Sequence, residues 1–134
     1  MPVEIIYLAC PYRHEDPFVQ RKRCAGAHYV AAQLFLEGKY LFSPLTHNEL
    51  LIDIIQDKVP GERWLQFDLA LLAICKKLYI LKMQGWEKSK GVAREIAFAK
   101  DHGIEIHEID PPDEALYLPW IRSKMATVRQ NISV

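Results

Sequence analysis

Two carboxylates in this chain stand where helical periodicity reserves a place for apolar residues. Read as a helix, Gly91 to His102 aligns Val92, Ile96, Ala99 and Gly103 in one stripe, and Glu95 falls inside it. Over Glu62 to Lys76, Trp64, Asp68, Leu71, Leu72 and Cys75 share a face, so Asp68 lies in a second apolar stripe. Desolvation makes an unpaired buried carboxylate costly, so each such group must be paired or used. For Glu95 the plain alternative is a side chain at the stripe's edge that reaches water or Arg94. Tyr7 within an apolar run and Tyr12 just after it can each bring a phenol to the same region, although a Tyr in a strand is most often core. Two carboxylates and a phenol without a metal motif suit cleavage of a glycosidic bond. That reaction needs a carboxylate to meet an electron-poor anomeric carbon and an acid to help the leaving group.

The elements that must position these groups alternate between strand and helix. Val3 to Ala9 reads as a strand buried on both faces and stopped by Pro11. Asp16-Pro17 opens a helix that runs to Gly38, with Asp as N-cap and Pro in the first turn. Lys39 to Ser43 is the second strand, and SPLTHN after it reads as a polar loop that brings His47 to the site. Asn48 to Asp57 is a short helix or turn, broken at Pro60-Gly61 before the helix that carries Asp68. Leu78 to Lys82 is the third strand and Ile104 to Ile109 the fourth, with alternation that suggests an edge. A last helix is expected around Leu116 to Arg129, in a helical tail spanning about 113–134 of a single 1–134 domain.

Such alternation predicts an α/β fold and a parallel sheet with helices on both faces; in the expected order 2-1-3-4, the ligand crevice falls at the reversal between strands one and three. The loops there are Cys10 to Glu15 and Met83 to Lys90, beside the start of the helix bearing Glu95. Pro11, Tyr12 and Arg13 in the first loop are thereby candidate substrate contacts. Ser89, Lys90 and Gly91 form a turn at a helix start that either holds an anion through N–H groups, a hydroxyl and an ammonium, or simply caps the helix.

Composition removes several function classes. Lys plus Arg and Asp plus Glu are both 17, so the chain has no net charge and no general affinity for nucleic acid or acidic membranes. The three cysteines, Cys10, Cys24 and Cys75, form no CxxC pair, which argues against a disulfide framework or a zinc site. No GxxxxGK[ST] loop and no GxGxxG after the first strand is present, so nucleotide hydrolysis at a P-loop and dinucleotide redox chemistry lack their usual scaffolds. No cofactor is called for. With no apolar run near the roughly 18 residues of a spanning helix, the expectation is a soluble, unexported cytoplasmic protein.

Three segments, IYLACPY within 5–12, WLQFDLALL at 64–72 and SKGVAREIAFA at 89–99, resemble the nucleoside 2-deoxyribosyltransferase-like family. That family includes relatives that hydrolyse nucleoside 5′-monophosphates, and the chain looks closest to a small bacterial and phage branch of unassigned function. The resemblance implies a flavodoxin-like sheet of four or five strands, with Glu95 as the nucleophile that attacks C1′ and Tyr7 holding its carboxylate. It also implies that Asp68 handles the proton of the departing base, and that the protein is a homodimer or homotetramer. Ser89 stands where transferases of free nucleosides usually carry a carboxylate, as in the monophosphate hydrolases, whereas CPYRHED replaces their glycine-rich run. Water or a second base therefore stays open as the acceptor. The alternative from another class is a catalytically silent nucleotide-binding or signalling module that keeps the crevice.

Overall fold

The apolar runs become the centre of the sheet. A computed structural model describes residues 3–122, with strands Ile5–Ala9 (β1), Tyr40–Phe42 (β2), Lys77–Leu81 (β3) and Glu105–Ile109 (β4). All pairings are parallel, as the alternation of elements predicts, and the order is the expected β2-β1-β3-β4. Helices Pro17–Leu36 (α1), Pro44–Ile55 (α2), Gly61–Leu72 (α3) and Lys90–Asp101 (α4) make the crossovers, and a short helix, Glu114–Tyr117 (α5), follows β4. This is a flavodoxin-like α/β fold, and among the described residues the sheet has four strands rather than five. No helix among them is long and apolar enough to cross a membrane.

Because side chains alternate across a strand, β1 and β3 supply both faces of the core. Tyr7, Ala9, Leu78 and Ile80 point to one side and pack with Leu72 of α3 and with Val92 and Ala99 of α4. Leu8 and Leu81 point to the other side, where they meet Ala25, Val30 and Leu34 of α1 together with Tyr117. The face that buries Tyr7 is therefore the face on which α4 lies.

Two expected elements differ. SPLTHN is not a loop but the cap and first turn of α2: Ser43 Oγ accepts from the Thr46 amide at 3.4 Å, and Pro44 occupies the position where a missing N–H costs nothing. A Ser-Pro pair that ends a strand can equally begin a helix. The last helix is shorter than expected, because after Tyr117 the chain turns through a 3₁₀ turn at Leu118–Trp120 that contains Pro119. Positions 123–129 of that expected helix lie outside the described residues. The segment also has a place on the sheet's α1 side, where Tyr117 is buried beside Gly26 and Met83.

One side chain organises the loops at the carboxyl ends of the strands. Arg23 of α1, 7% exposed, donates to the carbonyls of Arg13 at 2.9 Å, Tyr12 at 3.4 Å and Gln84 at 2.7 Å. It thus ties the loop after β1 to the loop after β3. Gly85, at φ +87°, completes the strap, since a Cβ there would lie 2.7 Å from Arg23 Nη2. Gly38 also has positive φ, at +88°, but nothing within 4 Å of a Cβ. Gly38→Ala should cost about 1–2 kcal/mol of unfolding free energy from backbone strain alone, and Gly85→Ala about 1–2 kcal/mol more through the displaced guanidinium. Urea denaturation of the two variants measures the difference; equal losses would mean that the strap yields freely.

Candidate active site

Glu95 is 5% exposed, on the inward face of α4 between Val92 and Ala99. The helix is set in place at its start by Ser89, whose Oγ accepts from the Val92 amide at 3.2 Å. Neither of the simple outlets for the charge is used. Arg94 turns outward and makes a two-pronged bond to Glu62 at 2.7 and 3.1 Å, and Glu95 itself is almost wholly buried. Instead the phenol of Tyr7, fully buried on β1, donates to Glu95 Oε2. Burial pushes the Glu95 carboxyl up to about 8; the phenol pulls it down and the nearby Asp68 charge adds to the rise. Burial, and after it the charges of Glu95 and Asp68, drive the Tyr7 phenol far above its ordinary range, so it remains a donor at every physiological pH.

Asp68 projects from α3 into the same space. Burial raises it to about 6, while a hydrogen bond from Asn48 Nδ2 at 3.0 Å and the proximity of His47 hold it down. Asn48 is in turn bonded to His47, Oδ1 to Nδ1, at 2.7 Å. The imidazole is packed by Phe42 and Phe67, each with its ring centroid 5.7 Å away. The amide of Asn48 thus has a defined orientation, its oxygen toward His47 and its nitrogen toward Asp68.

Between α2, α3 and the start of α4 lies a cavity of about 570 Å³, within the size range of small-ligand sites. Glu95 and Asp68 both line it. Of the expected substrate contacts, Tyr12, Arg13, Ser89, Lys90 and Gly91 also line it. Tyr7 does not; it stands beneath Glu95. Two expected contacts are corrected: Pro11 is fully buried, and His47 faces the Phe42 and Phe67 rings and reaches the cavity only through Asn48. Cys10 is at the cavity wall, but its thiol faces the carbonyls of Pro11 and Arg23, and burial drives its pKa far up, which suits a packed thiol rather than a nucleophile.

Asn48 is the cavity residue that periodicity missed. Leu45, Asn48 and Ile52 form a stripe at spacings of three and four along α2, and all three line the cavity. The signal is the same one that singles out Glu95, a polar residue within an apolar helical stripe. It becomes visible only once SPLTHN is read as helical.

A family model described as a domain of unknown function, DUF1937, matches residues 4–111. The chain belongs to this family. No curated protein matches it. The DUF1937 span takes in all four strands, Tyr7, Asp68 and Glu95, and every residue that lines the cavity; α5 lies just beyond it.

Glu95 makes stability depend on pH. Its carboxyl ordinarily titrates near 4.5, so as pH rises from there to about 8 an unfolded chain gives up a proton that the folded chain keeps. Stability must fall through that window and level off above it. Glu95→Gln keeps the acceptor for Tyr7 but cannot ionise, and it should exceed the wild type by on the order of 5 kcal/mol at pH 8.5. Urea denaturation at pH 5 and pH 8.5 checks this; an equal gap at both would mean that Glu95 is ionised in the folded protein.

Proposed function

We propose that this chain cleaves the N-glycosidic bond of a nucleoside or nucleoside 5′-monophosphate, with Glu95 as nucleophile. The observation that carries the reading is a buried carboxylate, gripped by a buried phenol, at the wall of a nucleoside-sized cavity that a second perturbed carboxyl also enters. The resemblance of the three segments around Tyr7, Asp68 and Glu95 supports it.

In the proposed reaction Glu95 attacks C1′ while the bond from C1′ to the base nitrogen breaks. The bonding pair leaves with the base, which takes its proton from Asp68. Water, or a second base, then attacks C1′ of the glycosyl ester, gives its proton to the Asp68 carboxylate and releases Glu95. Tyr7 keeps the Glu95 carboxylate aimed throughout. The step needs a single proton between the two carboxyls, held by Asp68 with Glu95 ionised. With Asp68 at about 6 and Glu95 at about 8, the proton rests chiefly on Glu95 in that window. The reactive arrangement is thus the minor of the two singly protonated forms, and the proton must move to Asp68 before attack.

The kcat/KM profile should accordingly be a bell with limbs near 6 and 8. Glu95→Gln should release no detectable base, and Asp68→Asn should slow release by about 10²-fold or more for bases that leave poorly, less for those that leave easily. Chromatography for free base over a panel of nucleosides and monophosphates reads all three. Wild-type turnover by Glu95→Gln would falsify the mechanism, and binding of nucleotides without any base release would favour the silent module.

The phosphate preference turns on Ser89. Its Oγ accepts from the Val92 amide, so its own proton stays free to donate, and Lys88 and Lys90 flank it at the positive end of α4. Monophosphates should be processed about tenfold to thirtyfold better than the matching nucleosides, which corresponds to 1 to 2 kcal/mol. Ser89→Asp should narrow or reverse the preference. Equal kcat/KM for a nucleoside and its monophosphate in the wild type would remove the phosphate contact and leave the Glu95 chemistry intact.

A further inference from the structure

The cavity at Glu95 does not end at Ser89. Arg13, Lys88 and Ser89 on its rim also line a second cavity, of about 690 Å³. This second space is built from the loops after β1, β3 and β4 and from the first turns of α1, so the two cavities together form one crevice across the carboxyl end of the sheet. Both are large enough for a small-molecule moiety.

The charges lining the second cavity are one-sided although the whole chain is neutral. Arg13, Lys22, Arg23 and Lys88 face a single carboxylate, Glu114, which Lys22 engages at 2.8 Å. The Arg23 guanidinium is occupied by three backbone carbonyls. Arg13 and Lys88 have no ion-pair partner among the described residues, and both stand where the two cavities meet. Unpaired cations at the junction of two ligand-sized spaces suit an anionic group that passes from one to the other.

The proposed chemistry fixes which end of a ligand reaches that junction, and this step rests on it. With the base toward Asp68 and C1′ at Glu95, the 5′ end lies toward Ser89. A monophosphate fills the rim and leaves the second cavity empty. We propose that the substrate carries a second phosphate there, and is therefore a nucleoside 5′-diphosphate or an ester of one. The first phosphate meets Ser89 and Lys88, and the second meets Arg13 and the Lys22 side.

Lys22 and Glu114 give a test with opposite signs, since both line only the second cavity. The probes are the 5′-monophosphate, the 5′-diphosphate and a dinucleotide diphosphate of each common base, titrated calorimetrically into the full-length Glu95→Gln protein so that no ligand is cleaved. The diphosphate, or the dinucleotide, should bind about tenfold more tightly than the monophosphate; whichever is tighter tells whether the second phosphate is terminal or esterified. Lys22→Gln, which unmasks the Glu114 carboxylate, should bring that ratio toward one, and Glu114→Gln, which frees Lys22, should raise it. Thermal melts of both variants confirm that they are folded. A ratio near one in the parent, or a ratio moved in the same direction by both substitutions, overturns the inference. If monophosphates are nevertheless cleaved, the proposed function survives that result. Failure of every nucleotide to bind overturns the inference and the phosphate contact at Ser89 together, and release of base from free nucleosides then decides the proposed function separately.

Discussion

The hydrogen bond from Tyr7 to Glu95 sits where the fold can least tolerate an error, and the rest of the site follows from it. A carboxylate removed from water loses a hydration shell that one phenol cannot replace, which is why the carboxyl remains protonated well above its ordinary range. The arrangement holds because neither partner can move. Tyr7 is locked in β1 between β2 and β3, and Glu95 is locked in α4 by Val92 and Ala99, which pack into the same core as Leu78 and Ile80. Stability is sacrificed locally and supplied by the surrounding core, the usual pattern where a fold carries a chemically poised group.

Burial alone does not mark a site, as Glu49 makes plain. Glu49 is 2% exposed, more deeply buried than Glu95, and sits between α1 and α2 with Arg21 at 3.8 Å and His28 at 3.7 Å. Its oxygens lie within ion-pair distance of these basic groups without a hydrogen bond to either, so it is held by charge between two helices. Glu95 differs in two physical respects: its partner is a phenol rather than a cation, and it borders a cavity that Asp68 shares. A perturbed carboxyl that also borders a ligand-sized cavity is a candidate for chemistry, which burial alone does not make it.

The sheet was legible in the sequence because the β1 and β3 runs are apolar on both faces and each connection between strands carries a helix, so parallel pairing follows from the alternation of elements. Glu95 and Asp68 were legible for the complementary reason, each breaking a stripe that packing would otherwise keep apolar. Asn48 and the true course of SPLTHN were not, because Ser43-Pro44 satisfies the rules for stopping a strand and for starting a helix equally well, and only the packing of Leu45 and Asn48 decides between them. The Arg23 strap was beyond reach for a different reason. Its three acceptors are backbone carbonyls from two loops, a relation of tertiary structure that leaves no pattern in residue type.

Charge is sorted along the crevice, and the sorting favours one direction of binding. The two perturbed carboxyls lie within the first cavity, whereas Arg13, Lys88 and Lys90 stand toward its rim and beyond. A nucleotide that enters with its phosphate outward sets the anion among cations and its anomeric carbon, which gains positive character as the base departs, over Glu95. The reverse orientation would drive a phosphate against the Asp68 carboxylate, and at an effective dielectric near 20 a like-charge contact at about 4 Å costs roughly 4 kcal/mol. That penalty, rather than any single attractive contact, is what would make the proposed orientation exclusive: a discrimination of roughly a thousandfold arises from repulsion before any base-specific contact is counted.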